Sequence, residues 1–149
     1  MDGLVRPPDA GRRIALGPVQ MRVLDDGSGS GGAVAIAEFH VPPWVYTTPT
    51  HVHRAHDEGF YVLEGLLEFL VGAATVPAGP GTFVQVPRGV LHTFRNPGPG
   101  PARFLNTFAP PRYLDYFAEL SALLAGPGEH SHEQRRALMA RYATDVVAP

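Results

Sequence analysis

Cysteine and lysine are both absent from the 149 residues. Their absence excludes disulfides, thiolate metal sites, thiol nucleophiles and Schiff-base lysines. Serine is sparse and never stands in a G-x-S-x-G turn, so a serine hydrolase of that type has no support. The 12 basic residues, all arginine, are scattered among 14 acidic ones instead of forming the stripe that a phosphate backbone requires. Nucleic acid is therefore not an expected partner. No apolar run approaches the ~18 residues of a membrane span, and the opening Met1-Asp-Gly-Leu-Val-Arg lacks the basic-then-apolar order of a signal peptide. A cytoplasmic protein with no membrane partner is the expectation, and its chemistry falls to histidines and carboxylates.

The chain is 44% hydrophobic, enough to bury one core but not two with a linker between them. One domain is expected over the whole length, with a barrel core at about 12–109 and a helical extension at about 110–145. Glycine (17) and proline (16) are abundant but fall between apolar runs, as turn punctuation does. The runs richest in β-branched and aromatic residues are Gln20 to Leu24, Ala33 to Val41, Gly59 to Leu70, Thr82 to Val86, Leu91 to Arg95 and Ala102 to Phe108. They predict an all-β core. Asp25 to Gly32 reads as a flexible loop, because no helix follows to make it a phosphate cradle.

After Pro110-Pro111 the period changes. Leu114, Phe117, Leu120 and Leu124 recur at helical spacing, and Gly126-Pro127 supplies a stop. A second helix is expected from the capping box Ser131-His-Glu-Gln134, with Leu138 and Tyr142 on one face. Both helices are expected to pack on the outside of the barrel or on a partner subunit.

Two segments carry the candidate chemistry. His51-Val-His53, Glu58 and Gly65 form the first; Gly81, Pro87-Arg-Gly89, His92 and Asn96 form the second. Side chains two apart on a strand share a face, so His51 and His53 point together, whereas Glu58 has the opposite parity. A turn or bulge must therefore intervene, and Arg54-Ala-His-Asp57 is polar enough to form one. His92 arrives from a separate hairpin. The four residues make a metal site with open positions, suited to Fe(II), Ni(II), Mn(II) or Co(II), with Zn(II) also acceptable. His130-Ser-His132 repeats the pattern in a polar loop without a third ligand and reads as surface, as does a solvated His56 beside the ligands; His40 reads as an edge residue. A role for His56 behind the ligands, or as a substitute ligand, stays open.

These motifs resemble those of the cupin superfamily, and within it the small single-domain cupins similar to quercetin dioxygenase. The phrases His56-Asp-Glu-Gly-Phe-Tyr-Val-Leu-Glu-Gly65 and Val86-Pro-Arg-Gly-Val-Leu-His92-Thr-Phe-Arg-Asn96 carry the likeness, as does the tail from Phe117 to Tyr142. Two positions depart from it: Val45 stands where a glycine often opens the first motif, and Thr82 where an acidic residue often follows Gly81. The resemblance implies a double-stranded β-helix, or jelly-roll barrel, with two C-terminal helices, a metal held by His51, His53, Glu58 and His92 in the barrel mouth, and a homodimer.

Strand parity nominates the pocket wall: Phe60 and Val62 share a face with Glu58, and Phe94 shares one with His92. Tyr46, Asn106 and Phe108 are further candidates, with ordinary core or rim packing as their alternative. The leading expectation is a non-haem dioxygenase acting on a hydroxylated aromatic or polyketide-like small molecule, with Glu58 as ligand and base. A non-redox isomerase, cyclase, epimerase or lyase is the alternative, and a non-catalytic binding module the second.

Overall fold

The computed structural model describes residues 2–148. Ten strands precede the helices: β1 Arg13–Leu16, β2 Val19–Asp25, β3 Ala35–Val41, β4 Thr50–His53, β5 Asp57–Glu64, β6 Leu67–Val71, β7 Ala74–Ala78, β8 Phe83–Val86, β9 His92–Arg95 and β10 Ala102–Ala109. Two helices follow, α1 Leu114–Ala125 and α2 His132–Arg141, and then β11 Thr144–Ala148. The strands form two antiparallel sheets, ordered β1-β2-β3-β10-β5-β8 and β11-β4-β9-β6-β7. This is the expected jelly roll with two helices after the barrel. Among the described residues no helix is long and apolar enough to cross a membrane.

Period-two alternation decides which side chains enter the barrel. Along β10, Ala102, Phe104, Asn106 and Phe108 are buried while their neighbours are only half-buried. Register sets their depth: Phe104 lies between Phe39 and Val62, Asn106 beside Phe60, and Phe108 beside Glu58. The Phe104 ring stacks on Phe39 at 5.0 Å and meets Phe94, from the other sheet, edge-on at 5.1 Å. The two sheets are joined there by aromatic packing.

Several expectations need correction. The run Gly59 to Leu70 is two strands, β5 and β6, in different sheets, divided at Gly65. Gly65 has φ 81°, and a Cβ there would lie 2.4 Å from the Pro101 carbonyl oxygen, so only glycine turns this corner. β7 contains Pro77, which argues against a central strand; it survives because β7 is an edge. The Asp25 to Gly32 loop is tied down by the Asp25 carboxylate, which accepts from the Gly27 and Gly29 amides at 2.9 and 3.1 Å. The helical extension ends early: Ala143 has φ 52°, and from Thr144 the chain pairs antiparallel with β4.

The helices also lie elsewhere than expected. α1 buries Leu114, Tyr116 and Leu120, and its Phe117 packs on Phe39 and Phe108 at 5.6 Å each. It thus lies over the barrel mouth, with its apolar stripe against the inward-facing Phe39 of β3 and Phe108 of β10.

Candidate metal centre

His51 and His53 project from β4, Glu58 from β5 and His92 from β9, so the site spans both sheets. The strand break required by parity falls at residues 54–56. Two clamps hold that break and the Pro87-Arg-Gly89 turn together. The Gly89 amide donates to the His53 carbonyl at 2.7 Å. The Arg88 amide and guanidinium donate to Asp57 at 2.8 to 3.2 Å, which holds the Asp57 carboxyl down at about 2. Asn96, at the end of the signature, is structural: its Nδ2 donates to the Pro42 and Gly100 carbonyls at 3.0 and 2.8 Å.

The hydrogen bonds fix the imidazole tautomers. Nδ1 of His51 lies 2.6 Å from the Pro49 carbonyl, and Nδ1 of His92 lies 3.0 Å from that of Val90. A carbonyl only accepts, so both Nδ1 atoms carry the proton and both Nε2 lone pairs face inward. His53 reaches the same state by another route. Thr144 donates its hydroxyl proton to the Tyr142 carbonyl at 3.1 Å, and its Oγ1 therefore accepts from His53 Nδ1 at 2.8 Å.

Acceptor atoms of three imidazoles and one carboxylate thus converge. Nε2 of His92 lies 3.1 Å from Glu58 Oε2, and Nε2 of His53 lies 3.4 Å from Oε1 without forming a hydrogen bond. The buried His53 Nε2 has no partner among the described residues. Burial, with His92 and His53 nearby, pushes His51 down to about 3, and burial also lowers His53. Burial pushes the Glu58 carboxyl up, but the His53, His56 and His92 rings against it outweigh burial and hold it well below the usual range. Neutral imidazoles and a carboxylate around an orphaned nitrogen fit a divalent cation. His51, His53 and His92 form one group able to hold a metal, and His53, His56 and Glu58 a second that shares His53.

His56 is not solvated. It is 4% exposed, its ring lies 4.0 Å from that of His53, and its Nε2 is 3.3 Å from Glu58 Oε1. The polar loop turns inward because its two ends are clamped, and Tyr113, with its ring 4.6 Å away, covers it. His40 pairs with Glu38 at 2.6 Å, well apart from this group. His130 and His132 stay on the surface side, half-buried and exposed respectively, yet both reach the cavity rim.

A cavity of about 560 Å³ opens above His51, Glu58 and His92. Of the nominated wall residues, Phe60, Phe94 and Asn106 line it and the exposed Tyr46 stands at its rim. Val62 and Phe108 share the inward face but do not reach the cavity. Val62 lies one register step below Phe60, whose ring, 5.0 Å from Phe69 and 5.7 Å from Phe104, closes the floor. Phe108 is covered by Phe117 and Tyr113. The opposite wall comes from Tyr113, just before α1, and from the helices, through Tyr116, Phe117, Leu120 and Met139. Helical periodicity marks those apolar faces in the sequence but not what they meet.

Thr144 has no local signal, since it meets His53 across 91 residues. Thr144→Val keeps the shape but leaves His53 Nδ1–H buried without an acceptor, which costs about 1–3 kcal/mol and frees the ring to turn. Metal affinity, measured by competition with a chromophoric chelator, is expected to fall ~10–100-fold. An unchanged affinity would mean that Thr144 does not orient His53.

No curated protein sequence matches this one. The family model described as a cupin domain matches residues 37–108. Among solved structures, KdgF from Halomonas sp. is similar at 17% identity and a TM-score of 0.64, over 73% of this chain and 94% of that one. A sugar phosphate isomerase of the cupin superfamily from Silicibacter pomeroyi shares 22% identity, with a TM-score of 0.63 over 71% and 75% of the two chains. A predicted oxalate decarboxylase from Thermotoga maritima shares 25%, with a TM-score of 0.62 over 71% and 97%. Residues 37–108, which contain His51, His53, His56, Glu58 and His92, thus match a cupin domain, and the solved structures named above share its fold.

Proposed function

We propose that this chain is a metal-dependent oxygenase of the quercetin dioxygenase-like kind, acting on a hydroxylated aromatic or polyketide-like small molecule. The cavity carries the reading. Its volume of about 560 Å³ lies within the ~300–1,000 Å³ of small-molecule sites, and its walls are aromatic and aliphatic down to the imidazoles. A polyol would leave most of its hydroxyls without partners against Phe60, Phe94 and Phe117, whereas a planar aromatic body would bury its faces there.

His51, His53 and His92 would hold the ion through Nε2, with Glu58 as the fourth ligand. Fe(II), Ni(II), Mn(II) or Co(II) suits this set, and Zn(II), which favours four ligands, leaves less room for substrate and O2. Such an ion supplies Lewis-acid activation of a substrate hydroxyl and, if redox-active, electron transfer. The low proton affinity of Glu58 suits a ligand, so its second task, taking the hydroxyl proton, depends on that activation. His56 Nε2, 3.3 Å from Glu58 Oε1, is placed to share the proton. The helices limit the access of water by packing over Phe39 and Phe108.

The buried His56–Glu58 pair also favours a second reading, non-redox proton transfer such as isomerisation or elimination at the same ion. Oxygen decides between them. With metal-reconstituted protein and a panel of hydroxylated aromatics, substrate-dependent O2 uptake is expected with one of the four metals. Turnover at an undiminished rate under strict anaerobiosis would replace the oxygenase with the second reading.

A further inference from the structure

Glu58 is the only carboxylate among the described residues that line the cavity, and it sits at the floor. At the mouth stand Arg135 and Arg136 of α2 with His130 and His132. Six of the 12 arginines have carboxylate partners: Arg22, Arg54, Arg88, Arg95, Arg103 and Arg141 each lie within 4.0 Å of one. Among the described residues Arg135 and Arg136 have none. Arg6, Arg12, Arg13 and Arg112 also lack one, but they do not line the cavity.

Arg135 is positioned more firmly than a solvated surface arginine. Its Nη1 donates to the Thr47 carbonyl at 2.8 Å, and its Nε to the Tyr116 hydroxyl at 3.4 Å. These bonds leave Nη2 without a protein partner among the described residues. Tyr116 in turn leads to the metal site: its ring lies 4.6 Å from that of Tyr113, which lies 4.4 Å from that of His53. A half-buried, oriented guanidinium therefore stands two aromatic rings from the ligands, across an apolar cavity, with Nη2 free to donate.

We infer that Arg135, assisted by Arg136, is an anion subsite, and that the substrate carries a carboxylate or similar oxyanion on its end remote from the reacting hydroxyl. The inference rests on the proposed reading of this cavity as the substrate site, and it adds the substrate's charge and orientation. A guanidinium edge held in place binds a carboxylate through charge-assisted hydrogen bonds, and desolvation by the apolar walls strengthens them. The apolar body would lie along Tyr113 and Tyr116.

The test uses para-coumarate, which has a phenol at one end and a carboxylate at the other, and its neutral amide, para-coumaramide. Titration calorimetry on metal-free and metal-loaded protein is expected to show the carboxylate bound about tenfold or more tightly than the amide in both forms. Arg135→Gln should reduce the ratio to about one while the amide's affinity stays the same, and Arg135→Lys should restore part of it, since charge remains without the fork. A merely structural Arg135 would weaken both probes equally in the Gln variant. Equal affinities in the wild type, a preference that survives Arg135→Gln, a preference present only with metal, or failure of both probes to bind at millimolar concentration would each overturn the inference. None of these outcomes touches O2 uptake, and anaerobic turnover would leave these affinities unchanged, so the two readings fail separately.

Discussion

His92→Ala is expected to abolish the thermal stabilisation that a divalent transition metal gives the wild-type protein. A ligand that binds only the folded state at a thousandfold excess over Kd contributes about 4 kcal/mol, or roughly 8–16 °C for a chain of this size. His92 pairs in register with His51 across β4 and β9 and presents Nε2 to Glu58 at 3.1 Å, so alanine removes a donor atom from the centre of the group. The loss should exceed the ~10–100-fold expected from Thr144→Val, which only disturbs a ligand's orientation. Glu58→Gln should weaken binding less than His92→Ala, because the amide oxygen can still coordinate while its negative charge is gone. Acidification should act in the same direction as the substitution, since a proton on Nε2 takes the lone pair the metal needs. Burial pushes His51 down to about 3 and lowers His53, so the neutral form persists below the ordinary histidine range and metal should be retained into mildly acidic buffer. Differential scanning fluorimetry with and without metal, alongside elemental analysis, measures both effects. Stoichiometric metal in His92→Ala would remove His92 from the ligand set.

The parts of this site that can be read in the sequence follow from strand parity. His51 and His53 share a face, Glu58 cannot unless the strand breaks, and the break lies at residues 54–56, between β4 and β5. Gly65 and Gly89 announce turns because their backbones stand at φ 81° and 85°, where other residues are strained. Contacts between distant segments are not legible in this way. The polarity of Arg54-Ala-His-Asp57 suggests solvation, yet Arg88, Gly89 and Tyr113 turn His56 inward from far along the chain. Thr144 belongs to a strand whose pairing with β4 no local pattern encodes. The helices show the same limit: the spacing of Leu114, Phe117 and Leu120 says that one face is buried, but an amphipathic stripe does not name its partner. Hence the helical side of the cavity wall and Arg135 emerge only when α1 and α2 are seated over the mouth.

The largest loss of stability is expected from Phe104→Ala, which should cost about 3–5 kcal/mol and lower Tm by roughly 6–20 °C. Phe104 has no solvent exposure and packs against rings of both sheets. It stacks on Phe39 at 5.0 Å with its plane tilted by 9°, and meets Phe60 at 5.7 Å, Phe94 at 5.1 Å and Phe69 at 6.3 Å. Its neighbours are anchored in antiparallel ladders on both sides, Phe39 and Val62 in register with it, so the walls cannot collapse to fill the void and the cavity term adds to the lost transfer energy. The consequence extends to the site. Phe60 rests on Phe104 and closes the cavity floor two residues from Glu58, so the variant should also loosen the floor and weaken binding of an aromatic ligand. Phe83→Ala provides the contrast, because Phe83 lies on the edge strand β8 and is 62% exposed. It should change stability by no more than about 0.5 kcal/mol. Urea denaturation of the two metal-free variants measures both. A small loss at Phe104 would mean that the sheets repack around it, and that the aromatic contact between them is not what fixes the depth of the cavity.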